Sequence, residues 1–147
     1  MADPFDLAFA AAREAAALGE VPVGAVVVRD RAVLGVAGNR PRALHDPTAH
    51  AEILAIREAC ARLGDERLTD CDLYVTLEPC PMCAGAISFA RIRRLYYAAS
   101  DPKGGGVEHG PRVFNQPTCH HAPEVYSGFR EREAAGLLRE FFAQRRG

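Results

Sequence analysis

The chain has 147 residues, of which 48% are hydrophobic and 25% charged, with a formal net charge of −1 at pH 7. This composition excludes collagen-like and intrinsically disordered classes, and no apolar run approaches the roughly 20 residues of a transmembrane helix. The near-zero net charge gives no sign of a polyanionic partner from the whole-molecule field. We therefore expect one domain over residues 1–147 and no membrane partner.

The N-terminus, Met1–Asp6, lacks the basic start and apolar core of a secretory signal, so we expect a cytoplasmic location. The five cysteines are then expected to be reduced. Their odd number, with two of them three residues apart, favours metal chemistry over a disulfide framework.

Apolar spacing and capping residues predict alternating strands and helices after an opening hairpin, which is typical of an α/β fold layered around a mixed sheet. In chain order, the predicted elements are a helix from Asp3 to about Leu18, strands over Val23–Val28 and Ala32–Ala37, a helix from about Thr48 to Leu63, a strand over Asp72–Leu77, a helix from about Cys80 to Ala90, a strand through Leu95–Tyr97 and a helix over about Glu131–Arg145. Two loops are predicted. Asn39–Pro47 delivers the chain to a helix start, and the Gly- and Pro-rich segment Ser100–Pro123 is long enough to be functional.

A Cys-x-x-Cys pair lies at a predicted helix start. Cys80 and Cys83 share one face of that helix and can occupy two corners of a zinc tetrahedron. The positive end of the helix also favours their thiolate forms. The pattern alone also fits a redox pair or a structural zinc ribbon, although the second cysteine pair of a four-cysteine ribbon is absent.

His50 lies at the start of another predicted helix and supplies a third candidate ligand. Three protein ligands leave a fourth position for water, which is the arrangement of catalytic zinc, and zinc lowers the pKa of such a water to about 7. Glu52, two residues further on, can lie beside the metal and shuttle a proton without binding it. Taken singly, each residue has a plainer interpretation, as a structural histidine and as a glutamate that favours the helix N-terminus.

The remaining cysteines have no neighbouring ligand pattern of equal strength. We interpret Cys60 and Cys71 as small buried apolar residues. Cys119-His120-His121 could form a second metal site, but no obvious fourth ligand accompanies it, so a structural or pocket-edge role is favoured.

From Glu20 onwards the chain resembles the bacterial tRNA-specific adenosine deaminases of the cytidine-deaminase-like superfamily. The metal motif alone specifies only the superfamily, and the other matching segments favour the tRNA branch. The segments that carry the resemblance are Val21–Val26, Asn39–Pro41, His45–Ile53, Leu73–Ala86, Arg91-Ile92, Ser100–Gly105 and Phe141–Arg146. The segment Gly106–Gly110 departs from the family pattern.

The resemblance implies a three-layer α/β/α sandwich with a mixed five-stranded sheet, a homodimer, and conversion of the wobble adenosine (position 34) to inosine in an arginine tRNA. It implies one Zn²⁺ per chain on His50, Cys80 and Cys83, with Glu52 as the catalytic proton shuttle. It also assigns Asn39, Asp101 and Lys103 to substrate binding. Three further residues are predicted to bind substrate, and these are Ala25, Phe142 and Arg145. The expected partner is a tRNA anticodon stem-loop and not DNA, since a 2′-hydroxyl contact distinguishes the two.

The C-terminal helix offers a further sequence argument for RNA. Phe141 and Phe142 point about 100° apart, so at least one is expected to pack into the core. An exposed aromatic ring can stack on an unpaired base while Arg145 and Arg146 contact phosphates. Two alternatives remain, a free guanine or cytosine deaminase of the same superfamily and a non-catalytic zinc-binding module.

Overall fold

The computed structural model describes residues 3–146, without the side chain of Arg146. Residues 1–2, part of the segment searched for a secretory signal, lie outside this range. The secondary structure consists of helices α1 (Pro4–Ala17), α2 (Pro41–Leu44), α3 (Ala51–Leu63), α4 (Pro81–Phe89) and α5 (Glu131–Arg146), strands β1 (Gly24–Arg29), β2 (Ala32–Gly38), β3 (Asp72–Leu77), β4 (Arg94–Ala99) and β5 (Glu124–Ser127), and a 3-10 turn at Val113–Asn115. Among residues 3–146, none of the helices has both the length and the hydrophobicity that crossing a bilayer requires.

The five strands form one mixed sheet in the order β2-β1-β3-β4-β5. Strand β1 pairs antiparallel with both β2 and β3, whereas β3, β4 and β5 run parallel. Helix α4 connects the parallel strands β3 and β4, as crossover connections in parallel sheets usually do.

Helices cover both faces of the sheet. Along β1, Val26 and Val28 pack with Phe5 and Phe9 of α1, whereas Val27 packs on the opposite face with α3 and α4. This alternation follows from the two-residue period of a strand. The structure therefore confirms the predicted three-layer α/β/α sandwich.

Several boundaries differ from the sequence prediction. Helix α3 begins at Ala51 and not near Thr48, because Asp46 Oδ1 accepts hydrogen bonds from the backbone N–H and the hydroxyl of Thr48 and holds a turn there. Strand β5 and the short helix α2 were not located from the sequence. Cys71 is buried as expected, but the same expectation for Cys60 was wrong, since that residue is only half-buried.

Candidate metal centre and active site

The N-termini of α3 and α4 bring the three candidate metal ligands together. His50 and Cys80 occupy the positions immediately before α3 and α4, and Cys83 lies in the first turn of α4. His50 Nδ1 lies 3.6 Å from Cys80 Sγ and 3.5 Å from Cys83 Sγ. Among residues 3–146, this is the one group of three or more His, Cys, Asp and Glu side chains whose ligand atoms all lie within 4.8 Å of one another.

The distances in this cluster fit a zinc ion. Tetrahedral zinc binds sulfur at about 2.3 Å and nitrogen at about 2.0–2.1 Å, which places the two donor atoms about 3.6 Å apart. Both observed nitrogen-to-sulfur distances agree with that value. Cys83 is buried whereas His50 and Cys80 are half-buried, so the cluster is accessible from one side. These residues could therefore hold zinc with a coordination position left for water.

The two cysteines differ in acidity because they share a hydrogen bond. The bond from Cys83 lowers the pKa of Cys80 to about 5, although burial acts in the opposite direction. The pKa of Cys83 is raised, because its thiol donates to Cys80 and is buried. A metal is bound by both sulfurs as thiolates, so binding releases any proton that the pair still carries.

Glu52 lies in the first turn of α3, and its carboxylate is outside the three-ligand cluster. The residue is only 4% exposed. Burial, with a smaller contribution from Cys80, raises the pKa of Glu52 to about 7, and hydrogen bonds and the nearby His50 limit the rise. A carboxyl group with this pKa can both accept and donate a proton at neutral pH.

The side chain of Asn39 is hydrogen-bonded to the first residue of α3. Its Oδ1 accepts a hydrogen bond of 2.7 Å from the backbone N–H of Ala51, whereas the His50 side chain makes no capping bond. Asn39 therefore satisfies one of the unpaired N–H groups of the helix, and the His50 ring remains free to bind metal. With Oδ1 directed at Ala51, the Asn39 Nδ2 group is available as a donor to another molecule.

The other predicted substrate-binding residues do not form a single surface. Arg145 and Asn39 line the same cavity of about 240 Å³, together with Phe141 of α5. Phe142 is 44% exposed and lies on a different surface of α5, beside Leu138. The expectation that one of the two phenylalanines packs inward is confirmed, since Phe141 is 9% exposed.

Arg145 is already engaged within the protein. Its Nη2 donates a hydrogen bond of 2.7 Å to the carbonyl of Gly19, and its guanidinium lies 4.6 Å from the centre of the Phe141 ring. The side chain of Arg146, predicted to contact phosphate, lies outside the described part of the chain.

Ala25 and the residues of the long loop have different exposures. Ala25 lies in β1 and is completely buried in the core. Lys103 is exposed, whereas Asp101 is half-buried and its Oδ1 accepts a hydrogen bond from the Gly104 N–H. Asp101 and Lys103 thus lie in the loop that follows β4, as the sequence indicates.

Glu78 is a buried carboxylate that the sequence analysis missed. It is 2% exposed and lies between β3 and Cys80. Its oxygens accept hydrogen bonds from the backbone N–H groups of the loop at Asp101, Val107, Glu108 and His109, and His109 Nδ1 lies 2.7 Å from Oε1. Burial alone would raise the pKa of Glu78, but these hydrogen bonds outweigh it and lower the pKa below its ordinary value. The only sequence feature that pointed to a role for Glu78 was its position two residues before Cys80.

Cys119-His120-His121 has structural contacts. His121 Nε2 lies 2.7 Å from the Ile92 carbonyl, and the His121 carbonyl accepts a hydrogen bond of 2.6 Å from Ser88. Cys119 and His120 line a cavity beside α4. Within residues 3–146, this segment contributes to no three-ligand cluster, which agrees with the structural and pocket-edge role favoured from the sequence.

Comparison with known proteins gives the family. The MafB19-like deaminase family matches residues 2–146. The tRNA-specific adenosine deaminase of Agrobacterium fabrum is 64% identical over 141 residues, which cover 96% of this chain and 93% of the relative. The chain belongs to the tRNA-specific adenosine deaminase family. As a member of this deaminase family it is an enzyme and a hydrolase, and the resemblance predicted from the sequence is confirmed.

Solved structures relate this tRNA-specific adenosine deaminase family member to two kinds of deaminase. One is from a study of A-to-I editing by tRNA:A34 deaminases, with a TM-score of 0.91, 64% identity, and coverage of 92% of this chain and 98% of that one. Another is a guanine deaminase from Nitrosomonas europaea, with a TM-score of 0.80, 26% identity, and coverage of 95% and 83%. The predicted cytidine-deaminase-like fold is thereby confirmed, and it is shared with a guanine deaminase.

Proposed function

We propose that this enzyme hydrolyses the wobble adenosine, position 34, of a tRNA anticodon loop to inosine, with one zinc ion per chain. The observation that carries the proposal is the His50, Cys80 and Cys83 cluster, whose nitrogen-to-sulfur distances of 3.5–3.6 Å fit zinc, with buried Glu52 two residues from His50. The relative with 64% identity over 96% of the chain, a tRNA-specific adenosine deaminase, supports the substrate class. An arginine tRNA is the proposed substrate within that class.

His50, Cys80 and Cys83 would hold the zinc, which supplies an activated water molecule for attack on C6 of adenine. Glu52 then acts as the proton carrier. It takes one proton from the attacking water and delivers it to N1 of the base. It then takes the remaining proton from the hydroxyl added at C6 and passes it to the amino group, so that C6 becomes a carbonyl and the amino group leaves as ammonia. The pKa of Glu52, raised to about 7 by burial, suits a group that must accept and donate within one turnover.

The remaining roles concern substrate binding. We propose that Asn39 donates a hydrogen bond from Nδ2 to the purine, because its Oδ1 is already occupied by Ala51. Arg145 lines the same cavity and would contact a neighbouring part of the RNA. We propose that Asp101, Lys103 and Phe142 contact other parts of the RNA from separate surfaces, and that Ala25, which is completely buried, acts only by supporting the site from the core.

An anticodon loop suits such a buried centre. The target base must leave its stack to reach it, and an unpaired loop nucleotide does so at lower energetic cost than a paired one. A contact to the 2′-hydroxyl would exclude DNA. We further propose that residues 1–147 act as one deaminase domain in a cytoplasmic homodimer.

The test is an assay of the purified protein on an arginine tRNA anticodon stem-loop and, in parallel, on free adenosine, guanine and cytosine. We expect inosine at position 34 of the stem-loop and no turnover of the free compounds. A stem-loop with guanosine at position 34 controls for release of ammonia from other nucleotides.

A guanine deaminase is the alternative that the structural comparison favours, given the TM-score of 0.80 to the Nitrosomonas europaea enzyme. Turnover of free guanine without inosine in the stem-loop would establish that alternative. A protein with bound zinc but no activity on any of these substrates would instead support a non-catalytic zinc module.

A further inference from the structure

The loop after β4 lies directly on the backbone that leads into α4. The Gly106 N–H donates a hydrogen bond of 2.8 Å to the carbonyl of Pro79. A Cβ atom at Gly106 would lie 2.6 Å from the backbone nitrogen of Pro81, closer than side chains approach a backbone. Since Cys80 lies between these two prolines, the loop is in backbone contact with the candidate metal centre.

The Glu78 carboxylate binds two parts of this loop, its first residues at Asp101 and the segment at residues 107–109. Its Oε1 accepts the N–H of Asp101 at 3.0 Å, and its Oε2 accepts the N–H groups of Val107, Glu108 and His109 at 3.2, 3.0 and 3.1 Å. The side chain is fully buried, and a buried carboxylate is tolerated only with such partners. One carboxylate thus holds Asp101 close to residues 107–109.

His109 completes the enclosure of this carboxylate. Its Nδ1 lies 2.7 Å from Glu78 Oε1, and its side chain is 36% exposed, so the ring lies between the carboxylate and solvent. An ionised carboxylate only accepts hydrogen bonds, so Nδ1 carries the proton. His109 belongs to Gly106–Gly110, the segment in which this chain departs from the family pattern.

The residues between these anchors include two proposed RNA contacts. Asp101 is held through its own N–H by Glu78, and its side chain accepts the N–H of Gly104, which follows Lys103. A second anchor is the hydrogen bond from the Tyr97 hydroxyl to the Glu108 carboxylate. The position of the RNA-contacting residues therefore depends on the hydrogen bonds made at Glu78 and next to it.

We propose that Glu78 and His109 act together as positioning residues that hold the loop of residues 101–109 against the start of α4, in the shape that binds the RNA. The RNA part of this inference rests on the proposed function. His50, Cys80, Cys83 and Glu52 are all carried by α3 and α4, outside the loop. Loosening the loop should therefore weaken substrate binding much more than it slows the chemical step.

Two substitutions of His109 form a matched pair. His109→Leu removes the donor, whereas His109→Asn keeps a side-chain N–H close to the position of Nδ1. For His109→Leu we expect KM for the stem-loop to rise about tenfold, in line with the loss of a hydrogen bond to a charged group, with little change in kcat or zinc content. His109→Asn should restore most of the affinity, which a merely space-filling role for the ring would not predict.

Amide hydrogen exchange provides a readout that does not depend on RNA. We expect the N–H groups of Asp101 and of residues 107–109 to exchange faster in His109→Leu, and faster still in Glu78→Gln, whose amide replaces one accepting oxygen with a donor. Exchange in α3 should remain unchanged.

The outcomes separate this inference from the proposed function. Unaltered exchange at residues 107–109 in both variants overturns the role of Glu78 and His109 in holding the loop. Faster exchange with an unaltered KM overturns the link between loop shape and RNA binding. If the unmodified protein does not deaminate the stem-loop, the proposed function fails and the RNA part of the inference fails with it, while the exchange experiment still decides whether the two residues hold the loop.

Discussion

The side chain of Asn39 is hydrogen-bonded to the backbone N–H of Ala51, with Oδ1 at 2.7 Å from the nitrogen. Ala51 is the first residue of α3 and follows His50 directly. Asn39 thereby does two things that can be separated. Its oxygen stabilises the helix that carries His50 and Glu52, and its Nδ2 group is the donor proposed to contact the purine.

Two substitutions of Asn39 should distinguish these contributions. Asn39→Asp retains the acceptor at the positive end of α3, so we expect an unchanged melting temperature and zinc content but a large loss of activity. Asn39→Ala loses the acceptor as well and should lower the free energy of unfolding by about 1 kcal/mol, the usual effect of removing a helix cap. Thermal unfolding and deamination assays measure the two effects. An active Asn39→Asp enzyme would contradict the contact to the purine.

We expect one zinc per chain in the purified protein, and Cys83→Ser should lower the zinc content sharply because it removes a sulfur ligand. Cys60→Ser is the matched control, since Cys60 is a half-buried cysteine outside the three-ligand cluster. Metal analysis of both variants gives the stoichiometry. An unchanged zinc content in Cys83→Ser would place the metal elsewhere, with Cys119-His120-His121 as the next candidate.

Glu52→Ala should keep zinc and fold but lose roughly 10²–10⁴-fold in turnover, the usual contribution of general acid–base catalysis. Glu58, on the same helix, provides a control. Its Oε1 accepts the N–H of Val36 at 2.8 Å, and Glu58→Ala should leave kcat nearly unaltered. The measurements are kcat and zinc content for each variant. Near-normal turnover of Glu52→Ala with full zinc would refute the proton-carrier role. Loss of zinc would instead show that Glu52 binds the metal or holds one of its ligands in place.

Arg145→Ala should weaken binding of the anticodon stem-loop and reduce the slope of log K against log salt by about 1. Because Arg145 donates to the Gly19 carbonyl and lies over Phe141, we also expect a small fall in melting temperature. Arg132→Ala, an exposed position at the opposite end of the same helix, is the control. Affinity measured over a salt series tests the prediction, and an Arg145→Ala protein with the same affinity and slope as the parent would remove this helix from the RNA site.

The sequence alone predicted the candidate zinc ligands and the candidate proton carrier, because the pattern that indicates them is local. Cys80 and Cys83 are one helical turn apart, and Glu52 is two residues from His50, so their spacing at two helix starts already restricts what they can do. The alternating apolar runs likewise predicted β1 to β4, and the predicted ranges overlap those observed. The fifth strand was implied only by the family resemblance. Glu124–Ser127 is short and mostly exposed, so it lacks an apolar pattern and is defined by pairing with β4.

Tertiary structure decided which partners the polar side chains have. Glu78 accepts hydrogen bonds from residues 23 to 31 positions later in the chain, and no local pattern predicts such contacts. Asn39 is hydrogen-bonded to Ala51, twelve positions later, and Arg145 to Gly19, 126 positions earlier. Such bonds form only after the strands and helices have packed. A buried polar group then bonds to whichever partner the packing has placed next to it. The sequence therefore indicated the candidate zinc ligands and the candidate proton carrier, whereas the hydrogen bonds of Glu78 to the loop after β4 and of Arg145 to Gly19 were visible only in the folded chain.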